Sequence, residues 1–273
     1  MIVGVGLLGG SIGMALRSRG LARQVVGVGR AGKPPIGAIA CGAIDVAESD
    51  VAQAAEGADL IICCAPVQQI AELVLRCAGA MRAGGLVTDV GSTKKNIVDQ
   101  IRASAPAIPF VGSHPLAGGT GSGYEHARGD LLDGSLVIVT PDAHTPALEV
   151  DRVEQLWQSL GAQTHRMSPA DHDLALAQTS HLPHLIASAL AAATPRELLP
   201  ITGPGWASTT RVAKGNAKLW RQILEENRLP ALQALQNFAT VLEHWRLALE
   251  SGDGQRLEQL LEAGKATRDA LGS

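Results

Sequence analysis

Aromatic residues are scarce in this sequence, and neither sign of charge is in large excess. Four Trp, two Phe and one Tyr make up 3% of the 273 residues, and the formal net charge is −3. This composition argues against base-stacking platforms and against a basic surface that binds nucleic acid. With 46% hydrophobic and 18% charged residues, the chain also does not resemble a disordered acidic protein. We expect one large or two modest domains and a small-molecule partner.

Cysteine pairs and long apolar segments are absent as well. The four cysteines form no C-x-x-C pair, and Cys63 and Cys64 lie side by side in the apolar run LIICCAP, as expected of a buried strand. No run reaches the roughly 18 apolar residues that would span a bilayer, and no signal-peptide pattern opens the chain. We therefore expect a cytoplasmic protein with neither a membrane partner nor a structural disulfide.

Up to about residue 165, short β-branched segments alternate with segments of helical periodicity, which is typical of a parallel sheet covered by helices. The expected strands are 2–5, 24–28, 60–64, 86–89, 109–111, 136–139 and 163–166. The expected helices are 11–19, 67–81, 93–104 and 146–160. Residues 1–167 are thus predicted to form a Rossmann-like, doubly wound α/β domain.

From Ser168 onward the pattern is helical. The residues S-P-A-D predict a helix start, with Ser168 as N-cap, proline in the first helical position and an acid at the third. Helices are expected over 170–193, 216–227, 229–250 and 254–271, so residues 168–273 are predicted to form an all-α domain. An apolar stripe is typical of a core or a dimer interface; its members are Leu232, Leu235, Phe238, Ala239, Leu242 and Trp245.

The opening segment IVGVGLLGGSIG places Gly4, Gly6 and Gly9 in G-x-G-x-x-G spacing, with Leu8 among them, between a strand and a helix. These glycines permit a tight turn, a close approach to a pyrophosphate and close helix packing, and the helix N-terminus favours phosphate. The motif therefore predicts a dinucleotide site. At the end of the second strand Arg30 stands where an acid would select NAD, with Lys33 nearby, which favours NADP unless Arg30 is only a solvated strand-end residue.

Three further loops follow expected strands and should line the same edge of the sheet. The first loop, APV, begins at Ala65. The second, DVGSTK, contains Ser92, and the third, GSHPLAGG, contains His114. A histidine beside a nicotinamide can take the proton of an alcohol as hydride leaves the same carbon, although a structural loop histidine is the alternative. A neutral His114 would make kcat/KM rise with pH through a pKa of roughly 6.5.

Five motifs in order along nearly the whole chain are similar to those of the prephenate/arogenate dehydrogenase family of tyrosine biosynthesis. They are GVGLLGGSIG, DVGSTK, GSHPLAG, SHLPHLIASAL and the T-R-V-A-K…LW segment. The resemblance implies an NADP- or NAD-dependent oxidative decarboxylation of prephenate or arogenate. It also implies a homodimer formed through the helical domain.

The resemblance implies roles for particular residues. His114 matches the catalytic histidine at the ring hydroxyl, and Ser92 matches the residue that orients this histidine, the hydroxyl and the nicotinamide. His184 matches a substrate-pocket histidine, with His181 close to it on the helix, and Arg211 matches the arginine that holds the ring carboxylate. The residues expected at the cofactor are Gly4, Gly6, Leu8, Gly9, Arg30, Ala65 and Ser92.

Two positions depart from the family pattern. Many members have an acid just after the H-P-x-A-G glycine and another three residues before the arginine, whereas this chain has Gly119-Thr120-Gly121 and Ser208 there. An ammonium group would need a carboxylate partner, so these residues favour prephenate over arogenate.

Other interpretations remain open at this stage. One is a different two-domain NADP-dependent reductase acting on a β-hydroxy acid or an imine, although the helix 170–193 has no lysine of the kind on which such enzymes often depend. Another is a non-catalytic NADP(H) sensor. A metal site formed by His181 and His184 with Asp171, His172 and Asp173 is not expected, because the spacing lacks H-E-x-x-H and the acidic pair is typical of a solvated first helical turn.

Overall fold

The computed structural model describes residues 1–29, 33–119 and 121–272, and the first half of the chain is built around one sheet. Its strands are β1 (Ile2–Val3), β2 (Val26–Val28), β3 (Val46–Glu48), β4 (Leu60–Cys63), β5 (Leu86–Asp89), β6 (Phe110–Pro115), β7 (Leu136–Thr140) and β8 (Gln163–Arg166). Among the described residues these eight strands are ordered β3-β2-β1-β4-β5-β6-β7-β8, and every neighbouring pair is parallel except β6 and β7. The expected Rossmann-like sheet is confirmed.

Helices cover both faces of this sheet. They are α1 (Leu7–Ser18), α2 (Gly37–Ala40), α3 (Val51–Ala55), α4 (Val67–Ala78), α5 (Lys95–Ser104) and α6 (Ala147–Ser159). Because successive strand residues point to opposite faces, Ile62 joins one apolar core with Ile12 of α1 and Trp157 of α6. Its neighbour Ile61 joins the other core with Ile70 of α4. The sheet is thus the middle of three layers.

The second part of the chain is helical, as expected. Its helices are α7 (Pro169–Leu176), α8 (Leu182–Ala193), α9 (Pro204–Thr210), α10 (Ala217–Glu226), α11 (Arg228–Ser251) and α12 (Gly254–Asp269), with 3₁₀ turns at Arg196–Ile201 and Arg211–Lys214. The Ser168 cap is confirmed, since its hydroxyl accepts a hydrogen bond from the Asp171 N–H at 3.1 Å. Among the described helices, none combines the length and apolar character needed to cross a membrane. The boundary between residues 167 and 168 stays a prediction.

One π-helical turn, Ala177–His181, joins α7 to α8 without breaking the helical path. Pro183 is the second residue of α8 and has no N–H to donate to the preceding turn. A wider turn relieves the clash that its ring would otherwise make with the chain before it, and such turns are frequent at functional sites. The sequence prediction of one helix over 170–193 missed this turn, whose last residue is the buried His181.

The sequence-based assignment also erred elsewhere. It missed β3, α2 and α3, because each has five residues or fewer and β3 is only half-buried. It ended the predicted strand 109–111 at Val111, whereas β6 continues to Pro115 and pairs with β7 through Ser113 and His114. His114 is therefore a strand residue and does not lie in a glycine loop. The predicted nucleotide-selecting residue, Arg30, lies outside the described residues.

Candidate active site

A glycine turn joins β1 to α1 at the carboxyl edge of the sheet. Gly4 has φ = +95°, which favours glycine, and a Cβ there would lie 2.5 Å from the Cys64 carbonyl oxygen of the adjacent loop. A Cβ on Gly9 would lie 2.2 Å from the Gly4 carbonyl oxygen, so the helix can approach the turn only through glycine. By contrast, a Cβ on Gly6 would meet nothing within 4 Å. Protein atoms therefore fill the space beside Gly4 and Gly9, whereas the space beside Gly6 is free.

The N-terminus of α1 is suited to a phosphate. In the described structure, its N-cap Gly6 has no side-chain capping bond and its first turn carries no acidic residue, so N–H groups of the first turn remain available to an anion. Ala65 is adjacent, because its backbone nitrogen would lie 3.3 Å from a Cβ on Gly4. Leu8 packs partly buried against the core beneath the turn. The residues present therefore fit the pyrophosphate of a dinucleotide.

Strand order gathers the other predicted residues along the same edge. Because β1, β4, β5 and β6 are consecutive neighbours in the sheet, the glycine turn, Ala65, Ser92 and His114 follow the strands in that spatial order. Ser92 is half-buried in the loop between β5 and α5. Within the described residues, its side chain forms no hydrogen bond with His114. Its predicted orienting role therefore stays a prediction.

A buried ion pair between Asp89 and Lys94 holds the strand that carries His114. Both side chains are fully buried, and the Lys94 ammonium contacts the Asp89 carboxylate. Lys94 Nζ also donates to the carbonyl oxygen of Ser113 at 2.9 Å, and the Ser113 N–H donates to Asp89 Oδ1 at 3.0 Å. The ion pair thus provides hydrogen-bond partners for both the N–H and the carbonyl oxygen of Ser113, the residue before His114. Ser113 lies beyond the residues through which β5 and β6 pair directly.

Side chains complete this network around Ser113. Its hydroxyl donates to the Asp89 carbonyl oxygen at 2.6 Å and lies 2.8 Å from the Thr88 hydroxyl oxygen. It also accepts a hydrogen bond from the Trp157 indole N–H at 3.1 Å. A buried network whose members are all paired is rigid. It fixes the position of β6 directly below His114.

His114 is the first member of a hydrogen-bonded chain that reaches into the helical part of the protein. Its Nδ1 lies 2.9 Å from Nε2 of His172, and His172 Nδ1 lies 2.7 Å from Oδ1 of Asp173. The exposed fractions are 9% for His114, 0% for His172 and 4% for Asp173. The expectation that the acidic pair Asp171 and Asp173 lies in a solvated first turn is therefore wrong for Asp173, because its side chain faces the start of α5. Only Asp171 remains exposed.

Burial sets the charge state of the site histidines. It lowers the pKa of His114 well below its usual value near 6.5, and the neighbouring His172, Lys94 and His181 lower it further. Burial likewise lowers the pKa of His172, although Asp173 opposes the shift. His114 is accordingly neutral at pH 7 and can accept a proton.

His181 and His184 lie next to one another around Trp220. His184 stacks on the Trp220 ring with a centroid distance of 3.6 Å and an interplanar angle of 10°, while His181 meets the same ring edge-on at 6.1 Å. His184 Nδ1 is one of three buried side-chain polar atoms without a partner in the described residues. Trp220 was not named as a site residue from sequence, although the LW segment contains it.

A buried amide determines the proton position on His181. Asn227 Nδ2 donates to the carbonyl oxygen of Asp173 at 2.7 Å and lies 3.1 Å from His181 Nδ1. Since an amide nitrogen can only donate, His181 Nδ1 is the acceptor. Burial lowers the pKa of His181 to about 4, which agrees with this neutral ring. Asn227 was not identified from sequence either, because an Asn at a helix boundary is normally interpreted as a cap.

Arg211 lies in the 3₁₀ turn Arg211–Lys214, which packs against α8, the helix that carries His184. Its side chain is exposed, and among the described residues it forms neither a hydrogen bond nor an ion pair. The turn is followed by Gly215, where a Cβ would lie 2.5 Å from Trp220 Nε1. The structure thus brings Arg211 to the same helix as His184 and leaves its guanidinium available to an anion.

These features define a class of protein. An open glycine turn at a helix N-terminus accepts a dinucleotide, and a neutral, buried histidine at the same edge of the sheet can accept a proton. These are the features expected of a dinucleotide-dependent oxidoreductase.

Comparison with known proteins identifies the family. Residues 12–166 match the prephenate dehydrogenase nucleotide-binding domain, and residues 168–263 match the prephenate dehydrogenase dimerization domain. The chain therefore belongs to the prephenate dehydrogenase family.

Individual relatives agree with this assignment. Cyclohexadienyl dehydrogenase of Zymomonas mobilis is 32% identical over 236 residues, which is 83% of this chain and 80% of that protein. The structure of Aquifex aeolicus prephenate dehydrogenase in complex with hydroxyphenyl propionate and NAD⁺ is 30% identical, with a TM-score of 0.88 and coverage of 98% and 96%. Synechocystis arogenate dehydrogenase is 27% identical, with a TM-score of 0.85 and coverage of 99% and 98%.

Proposed function

We propose that this protein catalyses the dinucleotide-dependent oxidative decarboxylation of prephenate to 4-hydroxyphenylpyruvate in tyrosine biosynthesis. The observation that carries the proposal is the placement of a neutral, buried His114 on β6, at the same sheet edge as the open glycine turn. Family membership favours this reaction over the reductase and sensor alternatives.

His114 acts as the base in this reaction. It accepts the proton of the ring hydroxyl while the hydrogen on the same carbon leaves as hydride, and a positioned base contributes typically 10²–10⁴-fold. The nicotinamide, when bound, supplies the acceptor for that hydride. The bond to the ring carboxylate then breaks as carbon dioxide leaves, and its electron pair enters the ring and ends on the former hydroxyl oxygen. The proton on His114 returns to this phenolate, so no net proton is released.

Two further residues bind the substrate in this proposal. The exposed Arg211 guanidinium holds the ring carboxylate through charge-assisted hydrogen bonds. The unpaired Nδ1 of His184 forms a hydrogen bond with the bound substrate in this proposal. A buried polar atom without a hydrogen-bond partner lowers stability, and a bound substrate can supply that partner. Trp220 supports the His184 ring by stacking. Holding the donor carbon in line with the nicotinamide is the main task of these contacts.

The preferences for prephenate and for NADP are supported by sequence. Ser208, in α9, and Gly119 and Gly121 offer no carboxylate to the ammonium group that distinguishes arogenate. Arg30 and Lys33 provide positive charge for a 2′-phosphate.

The test is the rate of nicotinamide reduction with prephenate and with arogenate, each with NADP and with NAD. We expect the highest kcat/KM with prephenate and NADP. Faster turnover of arogenate would overturn the substrate preference alone. If none of the four combinations shows turnover although the dinucleotide binds, the proposed reaction is wrong.

Arg30→Asp tests the cofactor preference separately. A carboxylate at this position repels a 2′-phosphate and accepts hydrogen bonds from a ribose hydroxyl, so the ratio of kcat/KM for NADP to that for NAD should fall at least tenfold. Arg23→Asp, at an exposed position before β2, is the matched control. An unchanged ratio in the Arg30 variant would remove this residue from cofactor selection.

The pH dependence of kcat/KM follows from the burial of His114. The base is active when neutral and therefore above its pKa, which the fold depresses. We expect kcat/KM to be constant through pH 6.5 and to decline only at lower pH. The expectation of a rise through 6.5 is thereby corrected. Circular dichroism at each pH is the control, because protonation of His181, whose pKa is about 4, opposes folding in the same range. An acidic limb centred at or above 6.5 would contradict this prediction.

A homodimer formed by the helical part is also proposed. Its support is the match of residues 168–263 to a dimerization domain, together with exposed apolar residues of α11. These include Leu232, Leu235 and Leu242 of the predicted stripe.

A further inference from the structure

The contacts of Asp173 show where the proton lies on His172. Asp173 Oδ1 accepts the backbone N–H of Lys94 at 2.8 Å, and Oδ2 accepts the N–H of Lys95 at 2.9 Å. Both carboxylate oxygens are therefore acceptors, and the Oδ1 contact with His172 Nδ1 requires that this nitrogen carries the proton. A neutral imidazole has one N–H, so His172 Nε2 is left with a lone pair.

The same reasoning extends to His114. Its Nδ1 lies 2.9 Å from the lone pair on His172 Nε2, so the His114 N–H must be on Nδ1. His114 Nε2 then carries the lone pair, and this nitrogen has no partner among the described residues. Which ring nitrogen carries the proton in His114 and in His172 is thus determined by Asp173, whose carboxylate can only accept hydrogen bonds.

We propose that His172 is a positioning residue, held in its tautomer by Asp173, which keeps the proton of His114 on Nδ1 and leaves Nε2 as the basic nitrogen for the substrate. This role rests on the proposed function, because it concerns the base of that reaction. The opposite tautomer would direct an N–H at the substrate hydroxyl and could not accept its proton. After proton transfer, His172 remains hydrogen-bonded to the imidazolium and restrains its ring.

Asp173 also ties this chain of hydrogen bonds to the scaffold. Its carboxylate accepts the first N–H groups of α5, whose own N-cap Lys94 provides no side-chain capping bond within the described structure. A carboxylate at a helix N-terminus is favoured by the helix dipole. The side chain of Lys94 holds β6 from the other side, through Ser113. His114 is consequently fixed from both the sheet and α7.

Nitrogen-15 NMR of the imidazole rings tests the proposal without substrate. In two-bond proton–nitrogen spectra, Nε2 couples to both carbon-bound ring protons, whereas Nδ1 couples strongly to one, so the protonated nitrogen can be identified. His114→Asn and His172→Gln assign the two rings by loss of their signals. We expect protonated Nδ1 and unprotonated Nε2 in both residues at pH 7. Protonated Nε2 on His114 would overturn the proposal.

Two substitutions at His172 distinguish a role in positioning His114 from a role in filling the space beside it. Glutamine places a carbonyl oxygen near the former Nε2 and can still accept from His114 Nδ1, whereas leucine fills the space without an acceptor. We expect His172→Leu to lower kcat about 10²-fold or more with KM little changed, and His172→Gln to retain kcat within about tenfold. Equal losses in both variants, or no loss with leucine, would contradict the positioning role.

The outcomes distinguish this proposal from the proposed function. Absence of turnover in the wild type would contradict the reaction, while the tautomer measurement would still decide the hydrogen-bond order. If His172→Leu does not fold, the wild-type NMR spectrum alone decides the positioning role.

Discussion

Replacing His114 with asparagine is expected to lower kcat by about 10²–10⁴-fold, the typical contribution of a positioned general base. Asparagine can keep a donor close to the position of Nδ1 and so retain the contact with His172, but it has no basic nitrogen in place of Nε2. The glycine turn is unaffected, so the dissociation constant for NADP should not change. Steady-state kinetics with prephenate and fluorescence titration with NADP measure the two quantities.

His144→Asn is the matched control, because it makes the same chemical change at an exposed residue before α6. Its kcat should equal that of the wild type. Retention of kcat within about threefold in His114→Asn would exclude His114 as the base, given the expected range. A parallel loss of NADP affinity would instead indicate that the substitution distorts the cofactor site.

Replacing Lys94 with methionine is expected to lower the free energy of unfolding by about 3–5 kcal/mol, the typical cost of removing one partner of a buried ion pair. Methionine fills a similar volume but leaves the Asp89 carboxylate without its counter-ion in a fully buried position. The carbonyl oxygen of Ser113 also loses its donor. Burial lowers the pKa of Lys94, and the neighbouring Asp89 opposes this shift. The positive charge on Lys94 is therefore stabilised by Asp89.

Urea denaturation followed by circular dichroism measures this change. Lys95→Met is the matched control, because Lys95 is the next residue and its ion pair with Asp99 is exposed, so little change in stability is expected. Similar midpoints for the two variants would show that the buried pair does not stabilise the fold. We also expect Lys94→Met to lower kcat, because Ser113 directly precedes His114 on β6.

Periodicity in the sequence was sufficient to predict the sheet and the helical second part. Strand β4 is an apolar run with clear ends, and α6 and α11 begin and end within two residues of the predicted positions. The segment containing α2, β3 and α3 was missed because its elements are too short to establish a period. The end of β6 was missed because Gly112 and Pro115 indicate a loop locally, whereas pairing with β7 extends the strand.

Within the site, residues that belong to recognisable motifs could be predicted. Residues whose role depends on contacts with distant parts of the chain could not. Gly4, Gly6 and Gly9 were identified because their spacing is dictated by the turn that they form. Asp173 was expected to be solvated together with Asp171, and no role was predicted for His172, since nothing local indicates that α7 contacts β6 and α5. Nothing local distinguishes Lys94 from the exposed Lys95 that follows it, yet the Lys94 side chain is fully buried.

The sequence by itself determined the fold class, the dinucleotide turn and the family resemblance, because these depend on residues close together in the chain. Only the tertiary structure decided the charge and tautomer of His114. Its hydrogen-bond partner lies 58 residues away, and the Lys94–Asp173 contact spans 79 residues. The low pKa of His114 is a consequence of burial, which arises only when α7 and the sheet come together.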